Sequence, residues 1–280
     1  MTTDYFDQGH ALISMLPNDI LLNIFNFYVN STRRTDAWHT LIHVCHRWRE
    51  VVFASPRRLN LRLLYTGRSP VRETLDVWPD LPISIRGSYD LKSKSMNNII
   101  SVLKHNDRIC EIVLEDIPSP LLERFALAIM TQDSFPALTR LKLWSFDAHA
   151  PTLPETFLSG YSPRLKTLHL QCIPFPALSQ LLFHSNELSG LRVMDIPRSG
   201  YITPEAMIIG LSSLTKLTTL TLEFRSPLPR DVMVSIFRHQ RGSHQNAQRV
   251  RCECSVSLTN SDALRDKGCV ISIKARLVTF

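Results

Sequence analysis

The stretch LTRLKL (Leu138–Leu143) places leucines at 138, 141 and 143, and the same Leu-x-x-Leu-x-Leu frame recurs along the chain. ICEIVL carries it at Ile109, Ile112 and Leu114, LKTLHL at Leu165, Leu168 and Leu170, LSGLRV at Leu188, Leu191 and Val193, and LTTLTL at Leu217, Leu220 and Leu222. The last frame positions fall at 114, 143, 170, 193 and 222, so the frame returns at near-constant intervals. LPISI (Leu81, Ile83, Ile85) lies one such interval before Leu114 and reads as an earlier, degenerate copy. Three copies run on into Ile-Pro, as LEDIP, LQCIP and VMDIP.

A period of roughly 20–29 residues with this frame is that of leucine-rich repeats, in which each unit supplies one strand and one helix. SPLLERFALAIM, FPALSQLLFHS and TPEAMIIGLSSL read as the intervening helices, each entered through proline. Thr203 stands as an N-cap before Pro204. The predicted fold class is α/β: a short helical N-terminus, then an irregular leucine-rich-repeat solenoid with parallel strands inside and helices outside. The asparagine usual after the frame is missing, with Ile117, Phe146, Ile173 and Ile196 in its place, so the backbone ladder needs another support. Alternation along a strand turns the frame residues inward and their neighbours outward onto the concave face. That places Arg140, Lys142 and Trp144 on one strand, Thr167, His169 and Gln171 on the next, and Gly190, Arg192 and Met194 on the third. The target-binding candidates are Arg140, Lys142, Trp144, His169, Gln171, Arg192 and Met194. Arg140, Lys142 and Arg192 suit a target with an acidic or phosphorylated segment.

Past Pro229 the repeat is lost. RDVMVSIFRHQRGSHQNAQ reads as a basic helix with a polar tail, RVRCECSVSL as an alternating strand and VISIKARLVTF as another, together a hairpin covering the solenoid end.

At the other end, MLPNDILLNIFNFYVN (Met15–Asn30) is too apolar for a surface helix that packs on one side only. Pro17 suits the first helical position and Asp19 the first turn. Ile20, Leu21, Leu22, Ile24, Phe25, Phe27 and Tyr28 span an arc of roughly 220° at about 100° per residue. In AWHTLIHVCHRWREVVFASPRRL, steps of three and four link Trp38, Leu41, Val44, Cys45, Trp48, Val51 and Val52, which predicts one amphipathic helix ended by Pro56. So small a module buries little by itself, and a partner protein covering the excess apolar surface resolves the imbalance.

LPNDILLNIFNFY followed by LIHVCHRWREVVFASPRRL resembles an F-box over about residues 14–60, the second half being the more specific. With HTLIHVCHRWREVVFASPRRLNLRLL and TLDVWPDLPISI in succession, the chain is similar to the F-box-like proteins expanded in mushroom-forming fungi. The resemblance implies a substrate-recognition subunit of an SCF-type ubiquitin ligase that binds a Skp-type adaptor and through it a cullin. Carried over residue by residue, it implies that Leu16, Pro17, Ile20, Leu21, Ile24, Phe25, Val44, Cys45, Trp48 and Val52 contact the adaptor. The organisation expected is a flexible N-terminus (1–13), the F-box (14–60), the repeats (61–229) and an irregular C-terminal segment (230–280). A repeat scaffold without a ligase role is the alternative.

Composition narrows the other classes. The chain has 280 residues, of which only 9 are glycine, and contains neither GxGxxG nor GxxxxGK[ST], against a phosphate-cradling loop. The net charge of +7 permits an acidic partner, but the basic residues are spread along the chain rather than interleaved with aromatics, against nucleic acid. Six scattered cysteines without CxxC read as free thiols in a reducing compartment. No signal-peptide core and no membrane span is evident, so the expected location is cytoplasmic or nuclear. His39, His43 and His46 beside Cys45, and Cys252, Cys254 and Cys269, could be read as metal ligands, but each set fits the flank or face of an amphipathic element better. Ser101, Ser159 and Ser199 lack a nucleophile elbow. No cofactor is implied, and no enzyme signature is assembled.

Overall fold

The computed structural model describes residues 13, 15–32, 37–67, 75, 78–147, 150–160, 162–224, 250–258 and 269–277; for the last two ranges only the backbone is described. The basic helix read over 230–248 and the expected flexible N-terminus lie outside them, apart from Ile13. The chain divides into two compact units, one of Met1–Leu64 with Thr74–Ile83 and one of Tyr65–Glu73 with Ser84–Phe280.

In the first unit, α1 (Asn18–Ser31) follows Pro17 and carries Asp19 in its first turn. Its inner side buries Leu21, Leu22 and Phe25. The single helix expected from Trp38 to Val52 is two helices, α2 (Trp38–Ile42) and α3 (His46–Ala54). Cys45 is extended, with φ −158° and ψ 169°, and turns the chain between them. Two contacts make the break favourable. Arg49 Nε donates to the Ile42 carbonyl at 3.1 Å, satisfying an acceptor that the helix end leaves open. Trp38 is buried with its Nε1 donating to the Arg62 carbonyl at 3.1 Å. Trp78, from the returning segment of this unit, lies edge-on to Trp38 at 5.5 Å. β1 (Leu63–Tyr65) is anchored by Leu63 N donating to the Pro82 carbonyl at 2.8 Å.

The second unit is α/β. It runs β2 (Ile83–Gly87), α4 (Ser93–Val102), β3 (Ile109–Leu114), α5 (Ser119–Met130), β4 (Arg140–Trp144), β5 (Thr167–Gln171), α6 (Leu178–Phe183), β6 (Gly190–Ile196), α7 (Pro204–Ser212), β7 (Thr219–Phe224), β8 (Val250–Leu258) and β9 (Cys269–Leu277). Strand order is β2-β3-β4-β5-β6-β7-β9-β8. β3 to β7 pair in parallel, while β9 joins β7 antiparallel and forms a hairpin with β8. The apolar frame is in register throughout: Ile112, Leu141, Leu168, Leu191 and Leu220 make one row, and Leu114, Leu143, Leu170, Val193 and Leu222 the next. All are buried except Leu220, which is half-buried. Thr203 Oγ1 accepts from Ala206 N at 3.3 Å, capping α7 as its sequence predicts.

At the strand ends backbone groups of successive junctions bond to one another. Ile117 N donates to the Trp144 carbonyl at 3.0 Å, Ser145 N to that of Gln171 at 3.3 Å, and Cys172 N to that of Met194 at 3.0 Å. Asp116, Cys172 and Asp195 adopt positive φ (60°, 60° and 52°), and each aims the following isoleucine, Ile117, Ile173 or Ile196, into the core before proline redirects the chain. Aspartate tolerates this left-handed region better than most residues do. The fourth junction departs from the rule: Ser145 is buried and Phe146, expected at the isoleucine position, is exposed. Asp147 then serves a different end, its Oδ2 accepting from Ser119 N at 2.5 Å and capping α5, whose own Pro118 offers no side-chain cap.

Gly200 sits in a 3-10 turn where a Cβ would lie 2.7 Å from the Pro174 Cα, a backbone atom unable to yield locally. Gly200→Ala is expected to cost about 1–3 kcal/mol in urea unfolding. The exposed neighbour change Arg198→Ala should stay within about 0.5 kcal/mol.

Candidate functional site

Two surfaces gather the residues singled out from sequence, one in each unit. In the first unit, Leu21, Phe25 and Val52 are enclosed by the unit's own core, and Leu16 and Trp48 are half-buried. The Trp48 ring packs on Phe25 at 4.7 Å. Pro17, Ile20, Ile24, Val44 and Cys45 remain on the surface. Helical geometry sets the division: Ile20, Ile24 and Phe27, at i, i+4 and i+7, form a stripe on one side of α1, opposite the buried side chains. Ile20, Ile24, Phe27 and Val44 are 45%, 48%, 76% and 56% exposed. Arg47 donates to the Leu16 carbonyl and, at 3.0 Å, to Asn18 Oδ1, holding the start of α3 against the start of α1. Arg58 Nη2 donates to Asn23 Oδ1 at 2.6 Å, fixing the chain after α3 to the polar strip of α1.

In the second unit, the residues between frame positions occupy the sheet face opposite the buried rows. Lys142, His169 and Arg192 are direct register partners, as are Trp144, Gln171 and Met194 in the next row. Arg140, Lys142, Thr167, His169, Arg192 and Thr219 border a hollow of about 370 Å³. The expected basic patch is only partly basic. Arg140 Nη1 lies 3.3 Å from Glu111 Oε1, and Lys142 Nζ pairs with Glu115. Glu111 is 2% exposed and receives Arg86 Nη2 at 3.5 Å and the Ser84 hydroxyl at 3.1 Å as well. Arg192 is exposed and has no carboxylate partner among the described residues. Gln171 Nε2 donates to Asp195 Oδ2 at 3.1 Å, which orients its side chain on the surface. Aligning the frames would have found Glu111, which stands in ICEIVL where Arg140 stands in its own copy. Glu115 lies past its frame, on a diagonal that spacing does not show.

His169 is half-buried rather than the freely exposed residue expected, and its Nε2 is enclosed without a hydrogen-bond partner among the described residues. Burial, then the charges of Lys142 and Arg192, lower its pKa from 6.5 to about 4 against the opposing effect of Glu115. The row therefore carries a neutral imidazole between two cations near pH 7.

Among the described residues no group of three or more His, Cys, Asp or Glu is placed to hold a metal, and no helix is long and apolar enough to cross a membrane. The break at Cys45 puts His39 and His46 on different helices. Cys45, Cys110 and Cys172 are not in disulfides. Neither a scan against models of known protein families nor a search of curated proteins finds a match for this chain.

The His169 shift has a sign that can be checked. The unfolded chain takes up the proton at higher pH than the fold does, so stability is full above about 6.5 and declines as pH falls toward 4. His169→Gln should flatten the change in urea midpoint between about pH 7 and about pH 4.5 relative to the parent chain.

Proposed function

We propose that the chain is a non-catalytic substrate-recognition subunit of an SCF-type ubiquitin ligase. The helical unit docks on a Skp-type adaptor, and the repeat sheet presents a target surface. The observation that carries this reading is the uncovered apolar stripe of Ile20, Ile24 and Phe27, with Val44, on a unit whose core is already closed by Leu21, Phe25, Trp38 and Val52. An exposed apolar stripe of that kind calls for a protein partner, and the F-box-like residues name the chemistry of one. The in-register leucine frame and strand-helix alternation support a leucine-rich-repeat solenoid as the second module. Ubiquitin transfer belongs to the cullin assembly, and the chain acts by holding the target near the charged conjugating enzyme, raising its effective concentration. On the sheet face, Arg192 is a cation available to an acidic or phosphorylated target segment, while Arg140 and Lys142 share their charge with Glu111 and Glu115. Trp144 and Met194 flank it as apolar contacts, with His169 and Gln171 between.

Trp48 is a poor test of adaptor docking, because its ring supports Phe25 inside the unit. Ile20→Asp with Ile24→Asp alters only the exposed stripe. This pair should weaken binding of purified Skp-type adaptor at least tenfold, equivalent to about 1.4 kcal/mol, with the far-ultraviolet circular dichroism unchanged. Adaptor affinity equal to that of the parent chain would remove the ligase assignment and leave a repeat scaffold.

A further inference from the structure

Among the described residues, the row of helices backing the sheet is interrupted once. α5 fills the crossover from β3 to β4, α6 that from β5 to β6, and α7 that from β6 to β7. Between β4 and β5 the described residues carry only a 3-10 turn, Phe157–Gly160. α6 and α7 pack directly on each other, whereas α5 packs on the 3-10 turn. A groove of about 910 Å³ is left there, lined by Met130, Asp133, Glu155, Phe183 and Ile209 among others. The apolar part of the lining is unusually open: Met130, Phe183 and Ile209 are 38%, 55% and 61% exposed.

The charge at this groove runs against the rest of the molecule. Asp133 and Glu155 stand at its border, and neither has an ion-pair partner among the described residues. The chain as a whole carries +7. An occupant selected by this site must therefore be apolar on one face and positively charged at the flanks, although the protein's overall field favours acidic ligands.

We propose that the groove is a docking site for an amphipathic helix of a partner protein, with apolar side chains at i, i+3 or i+4 and i+7 and Lys or Arg beside them. The helix lies over the β4–β5 crossover, whose Glu155 lines the groove. Its apolar face covers Met130, Phe183 and Ile209, and its cations meet Asp133 and Glu155. This surface is independent of the adaptor and target surfaces, and a failure of either reading leaves it standing.

The test uses the full chain and two displayed helical peptide libraries with the same varied apolar face (Leu, Ile, Met, Phe). One library is flanked by Lys and Arg, the other by Asp and Glu. The basic library should yield binders of micromolar Kd and the acidic one none. Phe183→Asp and, separately, the milder Ile209→Gln should each weaken the selected peptides at least tenfold. Asp133→Lys with Glu155→Lys should shift the preference toward acidic flanks. Absence of binders from the basic library, equal recovery from both, or binders indifferent to Phe183 and Ile209 overturns the proposal. A dimer in sedimentation that Ile209→Gln dissolves would instead assign the groove to a second copy of the chain, and also overturns it.

Discussion

In the second unit Ile112, Leu141, Leu168, Leu191 and Leu220 lie side by side on successive strands, and keeping that row and its neighbour dry dictates the rest. A one-residue slip of any strand would turn its leucines to solvent and its charged residues to the core, so each copy of the frame fixes the register of the next. The chain must leave every strand in the same direction to return for another parallel pairing. At three junctions this is done by a left-handed residue, Asp116, Cys172 or Asp195, followed by a buried isoleucine and proline. Where the junction lacks that turn, after β4, Phe146 is left outside and Asp147 reaches back to cap α5. One departure thus supplies the cap of the preceding helix.

The outer face of the sheet obeys a weaker constraint, and its electrostatics show it. Burying Glu111 is tolerable because Ser84, Arg86 and Arg140 all approach its carboxylate. That arrangement joins three adjacent strands but takes Arg140 largely out of service as a ligand group. Lys142 is similarly engaged by Glu115. The positive charge left without a carboxylate on this face lies along the sheet at Arg192, and His169 stays neutral beside it.

The parallel core was legible in the sequence because a frame repeated at near-constant spacing can be matched copy to copy, and Ile83, Leu143 and Leu170 all occupy the buried positions that this matching assigns. Thr203 and Pro204 announced α7 for a local reason, since cap and helix start lie within a few residues. The break between α2 and α3 was not legible. The apolar spacing continues through Val44 and Cys45, and what ends α2 is the Arg49 guanidinium from the following helix together with the setting of Trp38 against Trp78. Nor could spacing show that the described residues of the β4–β5 crossover carry a 3-10 turn in place of a helix. At the candidate sites, the stripe of α1 could be sorted into buried Leu21 and Phe25 and exposed Ile20 and Ile24 only once α3 was placed against it. The Arg140–Glu111 pair could have been found by aligning the frames, whereas the Lys142–Glu115 pair runs diagonally to a residue past its frame, where spacing leaves no trace.

Neighbouring parallel strands from β3 to β7 are also neighbours in the chain, which has a kinetic consequence. Each pairing closes a loop only one repeat long, as from Ile112 to Leu141 or from Leu168 to Leu191. Loop-closure entropy then stays nearly constant as strands are added, and the mean separation of these contacts is roughly a tenth of the chain length, in the range of fast-folding topologies. Such a sheet can grow from its N-terminal side as the polypeptide leaves the ribosome, each strand finding its template already laid down. β9 is the exception: Thr219 meets Arg276, about two repeat lengths further on, and β8 lies between them in sequence. The edge of β7 therefore waits longest for its partner, and the interval before β9 arrives is when that edge is open to pairing with another nascent chain.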